Sequence, residues 1–286
     1  MKRAIHKLTW AFAKLLLFSL LAGLLAASLV RFAPGFGVDE RELNSQLSRE
    51  SVEAIRSTHR LNSGLLSYYA RYLRGAAHGD FGISDSLQQP VSSLIWARLP
   101  ITARSVLFGV LLAWVGGLIA ALAGIRFKGM AAELAGTLVA GFLIALPSAV
   151  VAVFSVYLRA PVFLAIAVVI FPKLFRYLRS LLERAYVQPY VLAAQARGIG
   201  RWRIIFHHVF PLASPGIVAL LGVSVSLAFG AAIPIEALCD SPGIGQLAWQ
   251  ATLNRDLPLI MNLALLATVI TVAANSLASI ANETPL

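Results

Sequence analysis

Long apolar runs that contain no charged residue restrict this chain more than any other feature. Leu212–Ile233 and Leu259–Ala281 are the clearest, and Leu15–Val30 is similar. As a helix, a run of about 20 residues crosses roughly 30 Å of hydrocarbon and satisfies its own backbone polar groups. The whole chain agrees, because 58% of its residues are hydrophobic and 13% are charged, against about 25% charged in soluble domains. The sequence therefore predicts an all-α membrane protein and excludes a disordered chain.

Six transmembrane helices are predicted from the apolar runs. The first, Leu15–Val30, also has features of a cleaved signal peptide, although with Leu8–Ala13 it is longer than a usual signal sequence. The fourth is short, and Pro172 leaves its inner end open. The expected spans are Leu15–Val30, Ile101–Ile125, Ala131–Leu158 (with Pro147 in mid-span), Val162–Phe171 (reaching at most Phe175), Leu212–Ile233 and Leu259–Ala281.

The distribution of charge predicts the orientation. The net charge is +11, but the basic residues lie between apolar runs, which favours the positive-inside rule over nucleic-acid binding. Residues 31–98 balance arginine with acidic residues and suit the far side, whereas residues 176–211 are basic. The expected domains are residues 1–30 (tail and first span), 31–98 (extracytoplasmic segment) and 99–286 (core with a cytoplasmic loop at 176–211). Glu236–Pro258 is expected to be an outer loop, and both termini are expected to be cytoplasmic.

Several kinds of site are missing from the sequence. Cys239 is the only cysteine, and the five histidines show no metal-binding spacing. No lysine follows a glycine, so the phosphate-binding loop of an ATPase is absent. We expect no catalytic, cofactor or metal site, and any ATP that drives this protein must be hydrolysed by another chain.

The basic segment Tyr186–Pro215 contains one short helix signal. Pro189 suits the first turn of a helix. Gly198 suits its end, in the left-handed conformation that glycine tolerates. Between them, Tyr190, Ala193, Ala194 and Arg197 follow helical spacing and are expected on one face. The spacing fits equally a helix that docks on a partner and a helix that lies on anionic lipid.

A known family carries a similar pattern. The segment Leu192–Gly198, reading LAAQARG, resembles the EAA loop of ABC importer permeases, and Phe210-Pro211 stands at the spacing of that loop's later apolar–proline pair. Leu192 replaces the glutamate of the loop. The same replacement is typical of the peptide-type subfamily, whose loop reads approximately YVxTAxAxG, with YVLAAQARG at residues 190–198 here. The chain therefore resembles the inner-membrane permease of dipeptide, oligopeptide and nickel ABC importers.

The resemblance continues in order from Tyr68 to Pro258. Tyr68–Arg74 with Gly79–Ser84 is similar to the subfamily pattern YxxYLxxxxxGDLGxS. The C-terminal tail departs from the family's basic ending, and the chain is shorter than many members. The remaining similar segments are Pro90-Val91 with Leu94–Thr102 (LIWARLPIT), Leu146–Ser148 (LPS), Ile235-Glu236, Ser241–Gly245 (SPGIG) and Arg255–Pro258 (RDLP).

The resemblance implies a type I ABC importer permease fold and a division of the residues into three groups. The implied ATPase-coupling residues are Tyr190, Ala193, Ala194, Arg197, Gly198 and Pro211. The implied pathway or gate residues are Pro147, Ser148, Glu236, Pro242 and Gly243. The implied extracytoplasmic motif consists of Gly79, Asp80, Gly82 and Ser84. Two simpler interpretations stay open: Gly79–Ser84 as a turn at the membrane surface, and Glu236 as a residue that reaches to the membrane rim.

By the same resemblance, the expected function is peptide import in a cell inner membrane. The implied partners are a second permease, two cytoplasmic ATPases, an extracytoplasmic solute-binding protein and lipid. Import of nickel or another small solute is the first alternative. A self-contained secondary transporter is the second, but the spans show no buried acid–base pair for ion coupling.

Overall fold

The computed structural model describes residues 13, 17, 18, 20–25 and 28, and then residues 65–126 and 130–282. These residues are helical, apart from turns and one isolated antiparallel bridge between Ile83 and Pro90. The helices are α1 Leu65–Ala77, α2 Val91–Arg126, α3 Met130–Ala145, α4 Ser148–Tyr157, α5 Val162–Tyr186, α6 Pro189–Ala196, α7 Arg201–Ile204, α8 Phe210–Leu238, α9 Ile244–Leu253 and α10 Leu257–Asn282. A π-helical turn, Ile205–Val209, joins α7 to α8. Residues 15, 16, 19, 26, 27, 29 and 30 of the first predicted span lie outside the described residues.

Three described helices are long and apolar enough to cross a membrane. They are Val91–Ile125, Arg201–Leu238 and Leu257–Ser276. A fourth crossing arises if Gly136–Ala145 and Ser148–Tyr157, which meet at a bend of 92°, count as one broken span. The protein is therefore an all-helical, multi-pass membrane protein, and the count of six spans stays a prediction.

Two predicted spans were wrong in detail, and a proline is involved in each. Pro147 was expected in the middle of the third span, but it separates two helices and caps the start of α4 with φ −59° and ψ 141°. Proline has no N–H to donate, and the extended conformation before a helix suits it well. The fourth span was expected over Val162–Phe171, reaching at most Phe175, with its inner end left open by Pro172. The helix α5 continues through Pro172 to Tyr186. Pro172 is buried there, so packing retains a helix that the proline alone disfavours.

The chain divides into two compact units. The larger unit includes residues 98–247, and its core follows α5. Ile166, Ile170, Leu174, Leu178 and Leu182 recur every four residues on one face of α5 and are fully buried. Glycines let neighbouring helices approach closely: a Cβ at Gly216 would lie 2.6 Å from Leu181 Cδ2. Small residues at such contacts are typical of helices packed in a membrane.

The smaller unit, which includes residues 248–268, contains α1 and the turn after it. Tyr69 on α1 packs against Leu257 and Met261 of α10, and all three are buried. The hydroxyl of Tyr69 donates a hydrogen bond to the carbonyl of Leu20 at 2.6 Å. Residues 65–74 have helical spacing in the sequence, and α1 continues beyond them to Ala77.

Candidate functional site

Most of the predicted site residues lie in three places, two in the larger unit and one in the smaller. The first is α6 and the turn that ends it. Pro189 occupies the first turn of α6, as predicted. At the other end Gly198 has φ +75°. Its N–H donates to the carbonyl of Gln195 at 2.9 Å, and the N–H of Ile199 donates to that of Ala194 at 3.3 Å. These two bonds form a Schellman motif, so the prediction of a glycine stop is confirmed.

The predicted single face of α6 was wrong at one residue. Ala194 is buried with Val191 in the core of the larger unit. Tyr190, 44% exposed, lies on the outside with Ala193 and Arg197. Helical spacing placed Ala194 beside Ala193, but spacing alone does not say which side of an eight-residue helix the chain itself covers. Burial of Val191 and Ala194 holds in place a helix too short to be stable alone.

The second place is the carboxyl group of Glu236, in the last turn of α8. Glu236 is fully buried, so the interpretation as a rim residue was wrong. Its Oε2 accepts hydrogen bonds from Thr102 Oγ1 on α2, at 2.9 Å, and from the N–H of Gly245, at 2.8 Å. Thr102 Oγ1 in turn accepts the N–H of Ile244 at 2.8 Å. Glu236 Oε1 has no hydrogen-bond partner.

Two glycines allow the chain to approach this carboxyl group. A Cβ at Gly243 would overlap the carboxyl group of Glu236, and a Cβ at Gly245 would overlap the backbone of Ile233. The expected outer loop Glu236–Pro258 is thus partly wrong, because the turn at Pro242 leads directly into α9. The resulting Glu236 network, consisting of Glu236, Thr102, Ile244 and Gly245, attaches the start of α9 to both α2 and α8. Pro147 and Ser148 lie at the bend between α3 and α4 and are not members of it.

The third place is the buried carboxylate of Asp256, in the smaller unit. Asp256 Oδ2 accepts hydrogen bonds from Ser84 Oγ at 2.5 Å, Ser86 Oγ at 2.7 Å and the Ser86 N–H at 3.0 Å. Asp256 Oδ1 accepts the N–H of Leu259 at 3.0 Å, which caps the start of α10. Burial raises the pKa of the Asp256 carboxyl, but these hydrogen bonds outweigh it and leave the pKa below its ordinary value. The carboxylate therefore stays ionised and fixes the segment Ser84–Ser86.

Asn262 of α10 supports the same segment. Its side chain accepts a hydrogen bond from Tyr72 at 2.8 Å and donates one to the carbonyl of Phe81 at 2.9 Å. Gly79 and Gly82 have φ of +82° and +78°, so the predicted turn is present. Asp80 accepts the N–H of Gly82 at 2.9 Å and closes that turn. The segment Gly79–Ser84 is thus a fixed turn, with Ser84 as its buried anchor.

Three residues of these sites were missed from the sequence. Thr102 and Asp256 stood inside quoted motifs, LPIT and RDLP, and Ser86 follows Ser84 by two residues. The motifs were the available signal, but their partners lie 134 and 172 residues away along the chain. Among the described residues, no group of three His, Cys, Asp or Glu side chains could hold a metal ion.

Residues 106–283 match the family described as binding-protein-dependent transport system inner membrane component. This match covers α6, Glu236 and Asp256, but it begins after Ser84 and Thr102.

Individual relatives extend the similarity over most of the chain. The oligopeptide transport system permease protein OppB of Salmonella typhimurium is 26% identical over 83% of this chain and 84% of its own length. The oligopeptide transport system permease protein AppB of Bacillus subtilis is 26% identical over 83% of this chain and 84% of its own length. A putative peptide transport system permease protein of Brucella abortus is 27% identical over 82% of each chain.

Proposed function

Because the chain belongs to the family of binding-protein-dependent transport system inner membrane components, we propose that it is the membrane-spanning subunit of an ATP-driven peptide importer. A protein of this family acts with ATPase and solute-binding partners. The sequence contains no Gly-Lys step of a phosphate-binding loop, which supports hydrolysis of ATP on separate subunits. The observation that carries the proposal is the similarity, over four fifths of the chain, to relatives named as peptide permeases.

Peptides are the solute class that these relatives' names support. OppB and AppB are both named for oligopeptide transport. A metal ion as the solute has no such support, because the described residues provide no cluster of metal-binding side chains. We therefore propose di- or oligopeptides, delivered by a solute-binding protein, and treat nickel as an outcome of the test.

Growth on peptides tests this function in cells. A strain that requires one amino acid, supplied only within a tri- to pentapeptide, should grow with the intact gene and stop growing when the gene is deleted. Growth on the free amino acid is the control, and it should not change. Equal growth of the deletion strain on the peptide, combined with loss of nickel accumulation, would replace peptide by nickel as the solute.

We further propose the type I importer topology of six spans, with cytoplasmic termini, residues 31–98 outside and a permease core at 99–286. It is supported by three described spans, or four with the bent pair, and by the positive charge of residues 176–211. Reporter fusions at Gly79 and Gly243 should report the outside, and a fusion at Gly198 should report the inside. A cytoplasmic signal at Gly79 would contradict this topology.

Helix α6 is the proposed contact with an ATPase. Tyr190, Ala193 and Arg197 are exposed on it, while Val191 and Ala194 fix it to the core. Ala193 has a small side chain, which lets a partner approach the backbone closely. A helix that is packed on the core in this way can transmit a movement of its partner to the rest of the chain, whereas a helix that rests only on lipid cannot. Pro211, exposed in the first turn of α8, continues the same cytoplasmic surface.

An exposed face of α2 is the proposed contact with a second, related permease. Leu107, Leu111, Val115 and Ile119 recur every four residues on it, and each is more than half exposed, at 51–64%. Such a stripe would be unfavourable in water and suits lipid or another helix. The parts of the stripe that the second permease leaves uncovered would face lipid.

The proposed mechanism is alternating access. Closure of the ATPase pair moves α6, and the motion passes through the larger unit to the outer end of α8. There the Glu236 network holds α9 against α2 and α8, and we propose this network as part of the outer gate, together with Pro242 and Gly243. The bend at Pro147 and Ser148 is the proposed flexible part of the pathway. The fixed turn Gly79–Ser84 is proposed to support the outer face on which the binding protein docks.

A further inference from the structure

Three aromatic side chains form an exposed row on the helix that leads into α8. Trp202 stacks on Phe206 with ring centroids 6.0 Å apart, and Phe206 packs on Phe210 with centroids 6.2 Å apart. Trp202 and Phe206 are 55% and 54% exposed, so the described chain leaves about half of each uncovered. These three residues are called the aromatic ladder below. Exposed apolar patches of this kind are typical of contacts with a membrane or another protein.

The π-helical turn Ile205–Val209 explains why the rings stand in line. In an α-helix of 3.6 residues per turn, side chains four apart are rotated by about 40° from each other. A π-helical turn bonds residues five apart and so contains more residues per turn, which reduces that rotation. The turn therefore keeps the ladder on one exposed side while Ile204, Ile205 and Val209 stay buried on another. Because π-helical turns are rare and frequent at functional sites, the surface that this one aligns is a candidate for binding.

The ladder lies at the depth of the lipid headgroups. It belongs to Arg201–Leu238, a helix able to cross a membrane, whose uncharged run Leu212–Ile233 has the length of the hydrocarbon layer at about 33 Å. Phe210 lies next to this run, and Trp202 lies at most about 12 Å further along the axis. The headgroup layer is roughly 5–8 Å thick on each side. Phe210 and Phe206 therefore lie within it and Trp202 at its outer edge, a depth at which tryptophan is enriched.

The charged side chains beside the ladder are all basic. Arg203 and His207 lie four residues apart, each next in sequence to a ring of the ladder, and both are exposed. Neither forms an ion pair within the described part of the chain. The sequence contains no acidic residue between Glu183 and Glu236. Positive charge without a partner, beside an apolar surface at headgroup depth, is complementary to an anionic lipid.

We propose that the aromatic ladder, Arg203 and His207 bind an anionic phospholipid of the cytoplasmic leaflet. The lipid phosphate accepts hydrogen bonds from the guanidinium of Arg203 and the ring of His207, while the glycerol and the first methylene groups pack on the ladder. The acyl chains continue along Leu221 and Val225, which are exposed three and four turns after Phe210 on the same side of α8. Only the choice of leaflet rests on the proposed topology. The rival occupant is an ATPase, but α6, the proposed ATPase contact, presents a different set of residues.

Quenching of tryptophan fluorescence by brominated lipid tests this site in the complete importer complex. The complex would be placed in phosphatidylcholine vesicles with a minor fraction of either brominated phosphatidylglycerol or brominated phosphatidylcholine. The signal of Trp202 is the difference between the parent and Trp202→Phe, and brominated phosphatidylglycerol should quench it more strongly. Each arginine at a membrane surface favours anionic lipid about fivefold. Arg203→Gln should therefore lower the preference by about that factor, and Arg203→Lys should retain most of it.

Arg184 provides a matched control for the loss of one positive charge. It is exposed at the end of α5, in the same basic segment, and makes no ring contact within the described residues. Arg184→Gln should leave the lipid preference at Trp202 unchanged, and dissolved glycerol 3-phosphate should not displace the brominated lipid. Displacement would assign the site to a free phosphate compound instead of a lipid.

Three other results would overturn the lipid site. Trp202 could be quenched equally by both lipids, or its preference could survive Arg203→Gln. Absence of any quenching of Trp202 in the complete complex would show that protein covers this face, and would assign it to the ATPase. Failure of the complex to take up peptide, with the lipid preference intact, would instead overturn the proposed function and leave the lipid site, so the two failures are separable.

Discussion

Replacing Gly198 by valine should strongly reduce peptide uptake while leaving the protein in the membrane. Gly198 has φ +75°, and its N–H closes the Schellman motif at the end of α6. An L-residue in this conformation costs roughly 1–2 kcal/mol, and a β-branched residue costs more. Since α6 has eight residues, that strain is enough to unwind its last turn and displace Arg197 and Ala193. We expect uptake to fall at least about tenfold, as the loss of about 1.4 kcal/mol from one coupling step implies.

Gly200 offers a matched control for this substitution. It lies two residues further on, has an extended conformation (φ −60°, ψ 142°), and has open space where a Cβ would stand. Gly200→Val should therefore retain most of the uptake. Gly198→Asn should recover much of it as well, because asparagine tolerates the left-handed conformation. Uptake by purified complexes with bound ATPase provides the measurement, and full uptake by Gly198→Val would remove α6 from the coupling path.

Replacing Asp256 by asparagine should destabilise the smaller unit and stop transport. Each carboxylate oxygen accepts a backbone N–H, from Ser86 at Oδ2 and from Leu259 at Oδ1. An asparagine side chain has a single oxygen, so one backbone N–H must lose its acceptor and face an amide N–H. The serine hydroxyls can rotate towards another acceptor, but a backbone N–H cannot. The unpaired backbone N–H should therefore lower the free energy of unfolding by about 1–3 kcal/mol. The thermal midpoint of the complex should fall by several degrees.

Asp240 provides a control for this substitution, and the effect of the substitution should depend on pH. Asp240 is exposed, and Asp240→Asn keeps an oxygen for the side-chain amide of Gln246, so it should leave stability unchanged. Because the pKa of Asp256 is lower in the folded protein than in the unfolded chain, its stabilising contribution is complete above the ordinary value of 3.8 and is lost as the pH falls through the folded value. The difference between Asp256→Asn and the parent should therefore be constant from about pH 5 to pH 8 and shrink only in stronger acid. A difference that disappears near neutral pH would contradict the assigned network.

Local chemistry explains which features were predictable. The start of α6 at Pro189 and its end at Gly198 follow from the conformations that these two residues favour, and both were predicted. The long helices α8 and α10 were predicted because lipid requires continuous apolar runs. Segment Gly79–Ser84 was recognised as a turn, since glycine permits the positive φ that two of its residues adopt.

Features that depend on distant parts of the chain were not predictable. The burial of Ala194 depends on the core that covers it, not on its spacing from Ala193. Pro147 signalled a break, but whether it kinks a helix or separates two at 92° is decided by packing. Thr102 lies 134 residues from Glu236, and Ser84 lies 172 residues from Asp256, and no periodicity encodes such a pairing. The motifs marked these residues, and only the fold identified their partners.

Uptake by a reconstituted complex tests the central claim most directly. The chain would be placed in liposomes with its second permease and ATPases, with a labelled tripeptide and its solute-binding protein on one side and ATP available to the ATPases. Tripeptide should accumulate only when ATP, the binding protein and this chain are all present, and none should accumulate with the chain alone under a proton or sodium gradient. Accumulation by the chain alone, driven by an ion gradient and indifferent to ATP, would contradict it.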